Sequence, residues 1–176
     1  MPQNALDNPL VLPMLGLLVE SPRHQYALLR ELRTRYAFLP VKTATVYTLV
    51  QTLARQGLVA VAEEDERPEV SLTEAGFADF RERVERQLSE SDPNVGARFV
   101  IALAYVGVLP RERAVRLLRD RADALRADRR ALAETIGKAG LAELQMVEAH
   151  FLESRLRHDA GWLTRLATRL EAGELD

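Results

Sequence analysis

Between Lys42 and Gly57, apolar residues recur every three or four positions, which predicts a helix with one buried face. The helix would begin at Lys42 or Thr43, where the Thr43 hydroxyl can cap free backbone N–H groups. It would end at Gly57, because glycine accepts the left-handed conformation that follows a last helical turn. The apolar residues expected in the core are Val46, Leu49, Val50, Leu53 and Leu58.

Two short apolar strands are predicted after this helix, at Leu58 to Ala62 and Glu69 to Leu72. Thr73 then begins another helix as its N-cap. The side of that helix expected in the core carries Phe77, Phe80, Val84 and Leu88. A helix closed by a glycine and followed by two brief strands is typical of the second half of a winged helix.

The N-terminal segment supplies two further helices. Leu12 to Glu20 is apolar on nearly all sides, so this helix is expected in the core. Ser21 and Pro22 predict a second helix, with Ser21 as N-cap and Pro22 in the first helical position. Its inward residues would be Tyr26, Leu28, Leu29 and Leu32. A turn at Ala37 to Pro40 then leads into the helix at 43–56, which completes a helix-turn-helix.

The C-terminal part of the chain has the pattern of long helices. Ser89 to Gly96 is rich in turn-forming residues, and it predicts a winged-helix domain at 1–90 and a helical dimerisation domain at 91–176. A coiled-coil seam from Val115 to Ile136 can pair with another helix of this chain or of a second copy. A last helix from Leu141 to Ala172 would be ~45 Å long, so its far end is expected to pack on a second subunit. The predicted fold is mostly α with a small β-wing.

Composition narrows the class of protein. The chain has 176 residues, 47% of them hydrophobic, and no cysteine, which excludes disulfides, thiolate catalysis and cysteine-rich zinc sites. No signal peptide is recognisable, and the apolar stretch from Leu10 to Val19 is shorter than the ~20 residues that span a bilayer. We therefore expect a cytoplasmic protein without membrane contact.

The outer side of the 43–56 helix carries hydroxyl, amide and cationic groups, which can donate to phosphate oxygens or read base edges in a major groove. The residues expected to contact DNA are Arg23, Lys42, Thr43, Thr45, Tyr47, Thr48, Gln51 and Arg55, with Arg67 from the wing. Of these, Arg23, Lys42 and Arg55 would contact phosphates. An ordinary solvent-exposed surface is the alternative for a threonine-rich face.

Charge is unevenly distributed along the chain. Six basic residues and one acid lie between Ser21 and Leu58, a local charge of +5, although the formal net charge of the chain is −2. A local positive surface on an acidic molecule suits a selective DNA-binding protein, with a solvated helix face as the alternative. The loop between the predicted strands carries Glu63, Glu64, Asp65 and Glu66 beside Arg67, so it opposes close contact of the wing with phosphates.

Three motifs in this order resemble the PadR-like family of bacterial transcriptional regulators. They are His24-Gln25-Tyr26-Ala27-Leu28 in the second helix, Thr45-Val46-Tyr47-Thr48-Leu49 continuing to Gly57-Leu58-Val59, and Leu72-Thr73-Glu74-Ala75-Gly76. The similarity covers about Leu10 to Leu88 and extends more loosely beyond. It implies a winged-helix homodimer that represses or tunes a promoter and is often released by a small effector. The terminal segment WLTRLATRLE resembles the dimerisation helix of the family.

The chain also departs from the family pattern. Gln25 replaces the usual glycine, and Thr48 stands where the pattern often has proline. The wing shows Arg67-Pro68-Glu69-Val70 instead of a basic, tyrosine-rich strand, which puts its DNA contacts in doubt.

Catalysis finds no support in the sequence, and we expect no enzyme, no metal site and no cofactor. The three histidines are not spaced as metal ligands, and no phosphate loop or catalytic nucleophile is recognisable. Some regulators of the family that this chain resembles bind flat aromatic molecules at a dimer junction, and the resemblance implies an effector site here. The candidate residues are Phe99, Tyr105, Phe151 and Trp162, for which plain core packing is the alternative.

The leading hypothesis is a homodimeric repressor that reads a near-palindromic operator in double-stranded DNA through the helix at 43–56. Two hypotheses remain beside it. The chain could be a protein-interaction module whose acidic wing and helical C-terminal third bind another protein without specific DNA binding. It could also be a dimeric ligand sensor that does not bind DNA.

Overall fold

The computed structural model describes residues 5–62, 68–90 and 97–175. The chain divides into two compact units, Met1–Val108 and Leu109–Asp176. The boundary predicted after residue 90 adjoins residues 91–96, which lie outside the described residues. The fold is mostly α-helical with a small antiparallel sheet in the first unit, so the predicted fold class is confirmed.

The first unit contains five helices in the described part of the chain. They are α1 (Val11–Glu20), α2 (Gln25–Arg35), α3 (Thr43–Arg55), α4 (Glu74–Glu90) and α5 (Arg98–Ala104). Short 3₁₀ turns occupy Ala5–Asp7 and Val106–Val108. Helix α1 is buried from Val11 through Leu18, as its continuous apolar sequence predicts.

Three antiparallel strands form the sheet: β1 (Arg23–His24), β2 (Val59–Val61) and β3 (Glu69–Leu72). The central strand is β3, which pairs with β2 on one side and β1 on the other. The two predicted strands are confirmed, but the helix start predicted at Ser21-Pro22 is wrong. Arg23 and His24 lie opposite Val70 and Glu69, so α2 begins only at Gln25.

Most of the predicted core residues of this unit are buried, with two exceptions among the aromatic residues. Tyr26 is 68% exposed, because the buried side of α2 is formed by Leu28, Leu29 and Leu32. Phe77 is also exposed, whereas Phe80 further along α4 is fully buried.

The ends of α3 and α4 are joined by a small hydrogen-bond network. Gly57 has φ +70°, which confirms the predicted left-handed end of α3. The Thr73 hydroxyl accepts a hydrogen bond from the Gly76 N–H at 2.9 Å and donates to the Gly57 carbonyl at 2.7 Å. Thr73 is therefore the predicted cap of α4. The cap predicted at Thr43 is wrong, because Lys42 holds the N-cap position without a side-chain hydrogen bond.

The second unit is an antiparallel pair of long helices, α6 (Arg111–Ala139) and α7 (Val147–Glu171). A 3₁₀ turn at Glu143–Met146 precedes α7, so the last α-helix begins later than the predicted Leu141. The first part of the α6 seam is buried at Val115, Leu118, Ala122 and Leu125. The buried side of α7 consists of Ala149, Leu156, Ala160, Leu163 and Ala167. Among the described helices, none combines the length and hydropathy needed to cross a membrane.

Candidate nucleic-acid interface

Helix α3 is fixed to the first unit by its apolar side and leaves its polar side open. Val46, Leu49, Val50 and Leu53 are buried, and the remaining positions form the outer face. Thr43, Tyr47, Thr48, Gln51 and Arg55 are exposed, while Thr45 is half-buried. Tyr47 keeps 38% of its surface exposed, so its side chain is partly covered and partly in solvent. The helical period thus separates the core side from the candidate DNA-binding side.

The centre of this outer face has unused hydrogen-bonding capacity. Within the described part of the chain, the side chains of Tyr47, Thr48 and Gln51 have no hydrogen-bonding partner. Thr52 differs, because its hydroxyl donates to the Thr48 carbonyl at 2.9 Å and accepts from Arg55 Nη2 at 3.3 Å. The three open side chains supply both donors and acceptors, the groups that contact base edges and phosphates.

Two of the basic residues counted in the local charge are neutralised within the protein. Arg23 Nη2 lies 2.9 Å from Glu20, and its Nε donates to the Leu17 carbonyl at 3.1 Å. Arg35 lies 2.5 Å from Glu20 and 3.1 Å from Glu31. The hydrogen bond to Glu20 raises the pKa of Arg35. Because Glu20 lies just outside the window from Ser21 to Leu58, the charge predicted for that window overstates the charge available to a ligand.

Of the four other basic residues in that window, Arg30 lies 3.8 Å from Glu31, and the remaining three lie at the two ends of α3. Arg33, Lys42 and Arg55 are exposed and, among the described residues, have no carboxylate within ion-pair distance. Arg33 donates to the Thr43 hydroxyl at 3.1 Å and Arg55 to the Thr52 hydroxyl at 3.3 Å, both uncharged acceptors. Cations without a protein counter-ion are available to phosphate oxygens. The outer face of α3 is therefore flanked at each end by available positive charge.

The structure thus distinguishes among the residues predicted to contact DNA. Lys42, Thr43, Thr45, Tyr47, Thr48, Gln51 and Arg55 lie on or next to α3, whereas Arg23 lies in β1 with its guanidinium engaged by Glu20 and Leu17. Arg67 and the acidic residues 63–66 lie outside the described residues. Arg33 was missed by the sequence prediction, because only the folded turn between α2 and α3 brings it to Thr43.

The four residues predicted for an effector divide between the two units. In the first unit Phe99 is buried, and the Tyr105 ring packs edge-on against Phe80 with the centroids 5.2 Å apart. The Tyr105 hydroxyl contacts the Tyr36 hydroxyl. Phe151 and Trp162 lie exposed on α7 in the second unit. In the part of the chain that the structure describes, no group of three or more histidine, aspartate or glutamate side chains could hold a metal ion.

The sequence of the first unit matches a known family. Residues 14–82 match the sequence profile of the transcriptional regulator PadR-like family. This segment runs from within α1 into α4 and includes the whole of α3. No curated protein sequence matches the chain.

Several solved structures are similar to the chain at low sequence identity. PadR from Bacillus subtilis in complex with operator DNA is 17% identical, covers 92% of this chain and 98% of its own, and has a TM-score of 0.40. The same protein in complex with p-coumaric acid is 16% identical, with coverages of 97% and 99% and a TM-score of 0.43. A PadR-like transcriptional regulator from Bacillus cereus is 14% identical, with coverages of 93% and 98% and a TM-score of 0.41.

Proposed function

We propose that this chain, whose residues 14–82 match the transcriptional regulator PadR-like family, binds operator DNA through the outer face of α3. In this proposal the chain acts in the cytoplasm as a repressor and has no catalytic activity. Helix α3 would enter the major groove, which is wide enough to admit an α-helix.

The observation that carries the proposal is the composition of the outer face of α3. Its central side chains, Tyr47, Thr48 and Gln51, have no partner among the described residues. Available cations lie at both ends of the same helix, at Lys42 with Arg33 and at Arg55. Hydrogen-bonding groups between two positive ends match a groove in which base edges lie between two phosphate backbones.

A twofold assembly is the second part of the proposal. Helix α7 and the turn before it expose several large apolar side chains, with Leu144 at 84% and Phe151 at 62%. The others are Leu141, Val147, Leu152 and Trp162. Exposure of large apolar side chains to water is unfavourable, and the long-helix pattern supports a second copy of this chain as the partner that covers them. A homodimer would present two α3 helices to half-sites about 34–36 Å apart in a near-palindromic operator.

A small aromatic effector is the third part. Phe151 and Trp162 are exposed in the single chain and would supply aromatic surface for the effector at the junction of the two subunits, whereas Phe99 is packed in the core and Tyr105 is half-buried against Phe80. Binding of the effector would lower the affinity of the protein for operator DNA. The size of this effect equals the ratio between the affinities of the effector for free protein and for DNA-bound protein.

A mobility-shift measurement tests the proposal. The probe is the DNA upstream of the gene for this chain, compared with a random duplex of equal length at two salt concentrations. We expect tighter binding to the upstream DNA at both concentrations and a steep loss of random-duplex binding as salt rises. Equal affinity for both duplexes would argue against a specific regulator. Recovery of a stoichiometric protein partner without DNA would favour the protein-interaction hypothesis.

A further inference from the structure

Arg33 connects the last turn of α2 to the first residue of α3. Its Nη2 donates to Thr43 Oγ1 at 3.1 Å, and its Nε and Nη2 both lie 3.5 Å from the Val41 carbonyl oxygen. The guanidinium therefore spans the turn that leads into α3. Among the described residues, no side-chain hydrogen bond caps the start of α3, and the hydrogen bond from Arg33 ties its first residue to α2.

The chemistry of arginine sets the direction of the hydrogen bond to Thr43. A guanidinium only donates, so Thr43 Oγ1 must act as the acceptor. The hydroxyl proton of Thr43 then remains free to donate outward. Phosphate oxygens only accept hydrogen bonds, as do purine N7 and the carbonyl oxygens of guanine and thymine. While Arg33 occupies the acceptor side of the Thr43 hydroxyl, the hydroxyl proton of Thr43 can donate to an acceptor atom on DNA.

Thr52 provides a comparison within the same helix. It accepts from Arg55 in the same way, but its hydroxyl proton is already donated to the Thr48 carbonyl at 2.9 Å. Thr43 has no such internal acceptor among the described residues. The threonine hydroxyl at the start of α3 can therefore still donate a hydrogen bond to a ligand. The threonine hydroxyl near its end already donates within the protein.

We propose that Arg33 is a positioning residue for DNA recognition, which holds Thr43 as a hydrogen-bond donor to an acceptor atom of the operator. This inference rests on the proposed function and assigns Arg33 a role that acts through Thr43. Because Arg33 has no carboxylate partner within the described residues, its charge also strengthens the hydrogen bond that Thr43 donates.

A double-mutant cycle on DNA affinity tests this role. The variants are Arg33→Gln, Thr43→Val and the double variant, with Thr43→Ser to keep the hydroxyl. Arg30→Gln is the matched control, since Arg30 lies one turn earlier on α2 and is exposed, 3.8 Å from Glu31. The probe is the DNA segment protected by wild-type protein in genomic footprinting, and thermal melting of each variant is measured alongside.

We expect Arg33→Gln and Thr43→Val each to weaken binding about tenfold, and the double variant to bind no more than about threefold worse than Thr43→Val. Thr43→Ser should keep near wild-type affinity, and Arg30→Gln should change affinity by less than about threefold. The inference would be overturned if the double variant lost as much affinity as the product of the losses in the two single variants. It would also be overturned if Arg33→Gln and Arg30→Gln weakened binding equally. Failure of wild-type protein to protect any DNA would instead contradict the proposed function. If Arg33→Gln fails to fold, Arg33→Met takes its place in the cycle, because methionine keeps the apolar stem and has no donor for Thr43.

Discussion

At Gly16 in α1, a side chain as small as a methyl group has no room. A Cβ placed there would overlap the ring of Tyr105, which directly follows α5, so glycine is required for the close approach of this ring to α1. We expect Gly16→Ala to lower the free energy of unfolding by about 1–3 kcal/mol, because either the ring or the helix must shift. Urea unfolding followed by circular dichroism measures this change.

Gly137 in α6 is the matched control, since nothing lies within 4 Å of a Cβ built there. Gly137→Ala should raise the free energy of unfolding by about 0.5–1 kcal/mol, because alanine loses less conformational entropy in a helix. A Gly16→Ala variant as stable as wild type would show that Tyr105 does not fix the packing of α1.

The same tyrosine predicts a response to alkaline pH. Burial raises the pKa of Tyr105 and of Tyr36, so both phenols ionise at higher pH in the folded chain than in the unfolded chain. The two phenols stabilise the folded chain while they stay neutral. This contribution to the free energy of unfolding is complete below the ordinary tyrosine pKa of about 10 and is lost as the pH rises above it. We expect the melting temperature to fall between pH 9 and 11, and to fall less steeply in Tyr105→Phe. Identical pH profiles for wild type and this variant would contradict the assignment.

Individual contacts were the least predictable feature. The sequence pattern correctly separates the two sides of α3, because helical period alone decides which side is buried. It cannot show that Glu20 neutralises Arg23 and Arg35, or that Arg33 reaches Thr43. These contacts depend on how turns fold back, so neither periodicity nor a local charge count contains them.

At the level of elements, the junction between α3 and α4 depends on Thr73. Its hydroxyl caps α4 through the Gly76 N–H and also donates to the Gly57 carbonyl at the end of α3. Thr73→Ala should therefore lower the free energy of unfolding by about 1–2 kcal/mol. Chemical denaturation of the whole chain measures the change.

Thr135→Ala serves as its control, because in the described part of the chain the exposed Thr135 hydroxyl bonds to the Ala131 carbonyl one turn earlier and to no other group. That change should stay within about 0.5 kcal/mol. Equal effects of the two substitutions would show that Thr73 does not join the two helices.

Helices and strands that are marked by residues within their own sequence were predicted well. Strand β1, which forms only by pairing with a distant strand, was missed. Strands β2 and β3 and helix α4 follow from alternation, a capping threonine and a glycine. Strand β1 has only two residues, and it exists because Arg23 and His24 pair with residues of β3 far along the chain. The Ser21-Pro22 signal for a helix start was overridden by this non-local pairing.

For the molecule as a whole, the exposed apolar surface of α7 predicts self-association. Phe151→Glu places a charge in the middle of that surface, so we expect a monomer by size-exclusion chromatography with light scattering. Affinity for operator DNA should fall as well, since a monomer binds only one half-site.

The control for this substitution lies on the same helix. Thr168→Glu introduces the same charge at an exposed polar position that is not one turn away from any exposed apolar residue of α7, so it should leave the dimer intact. A monomeric wild-type protein, or a dimer that persists in Phe151→Glu, would contradict the proposed assembly.

The most direct test concerns Tyr47, at the centre of the outer face of α3. Tyr47→Ala removes a half-exposed side chain without a hydrogen-bonding partner among the described residues. Binding of the footprinted DNA, followed by fluorescence anisotropy, should weaken by about tenfold or more, while the melting temperature stays within about 2 °C of wild type. Unchanged affinity in a folded Tyr47→Ala protein would contradict DNA recognition through α3.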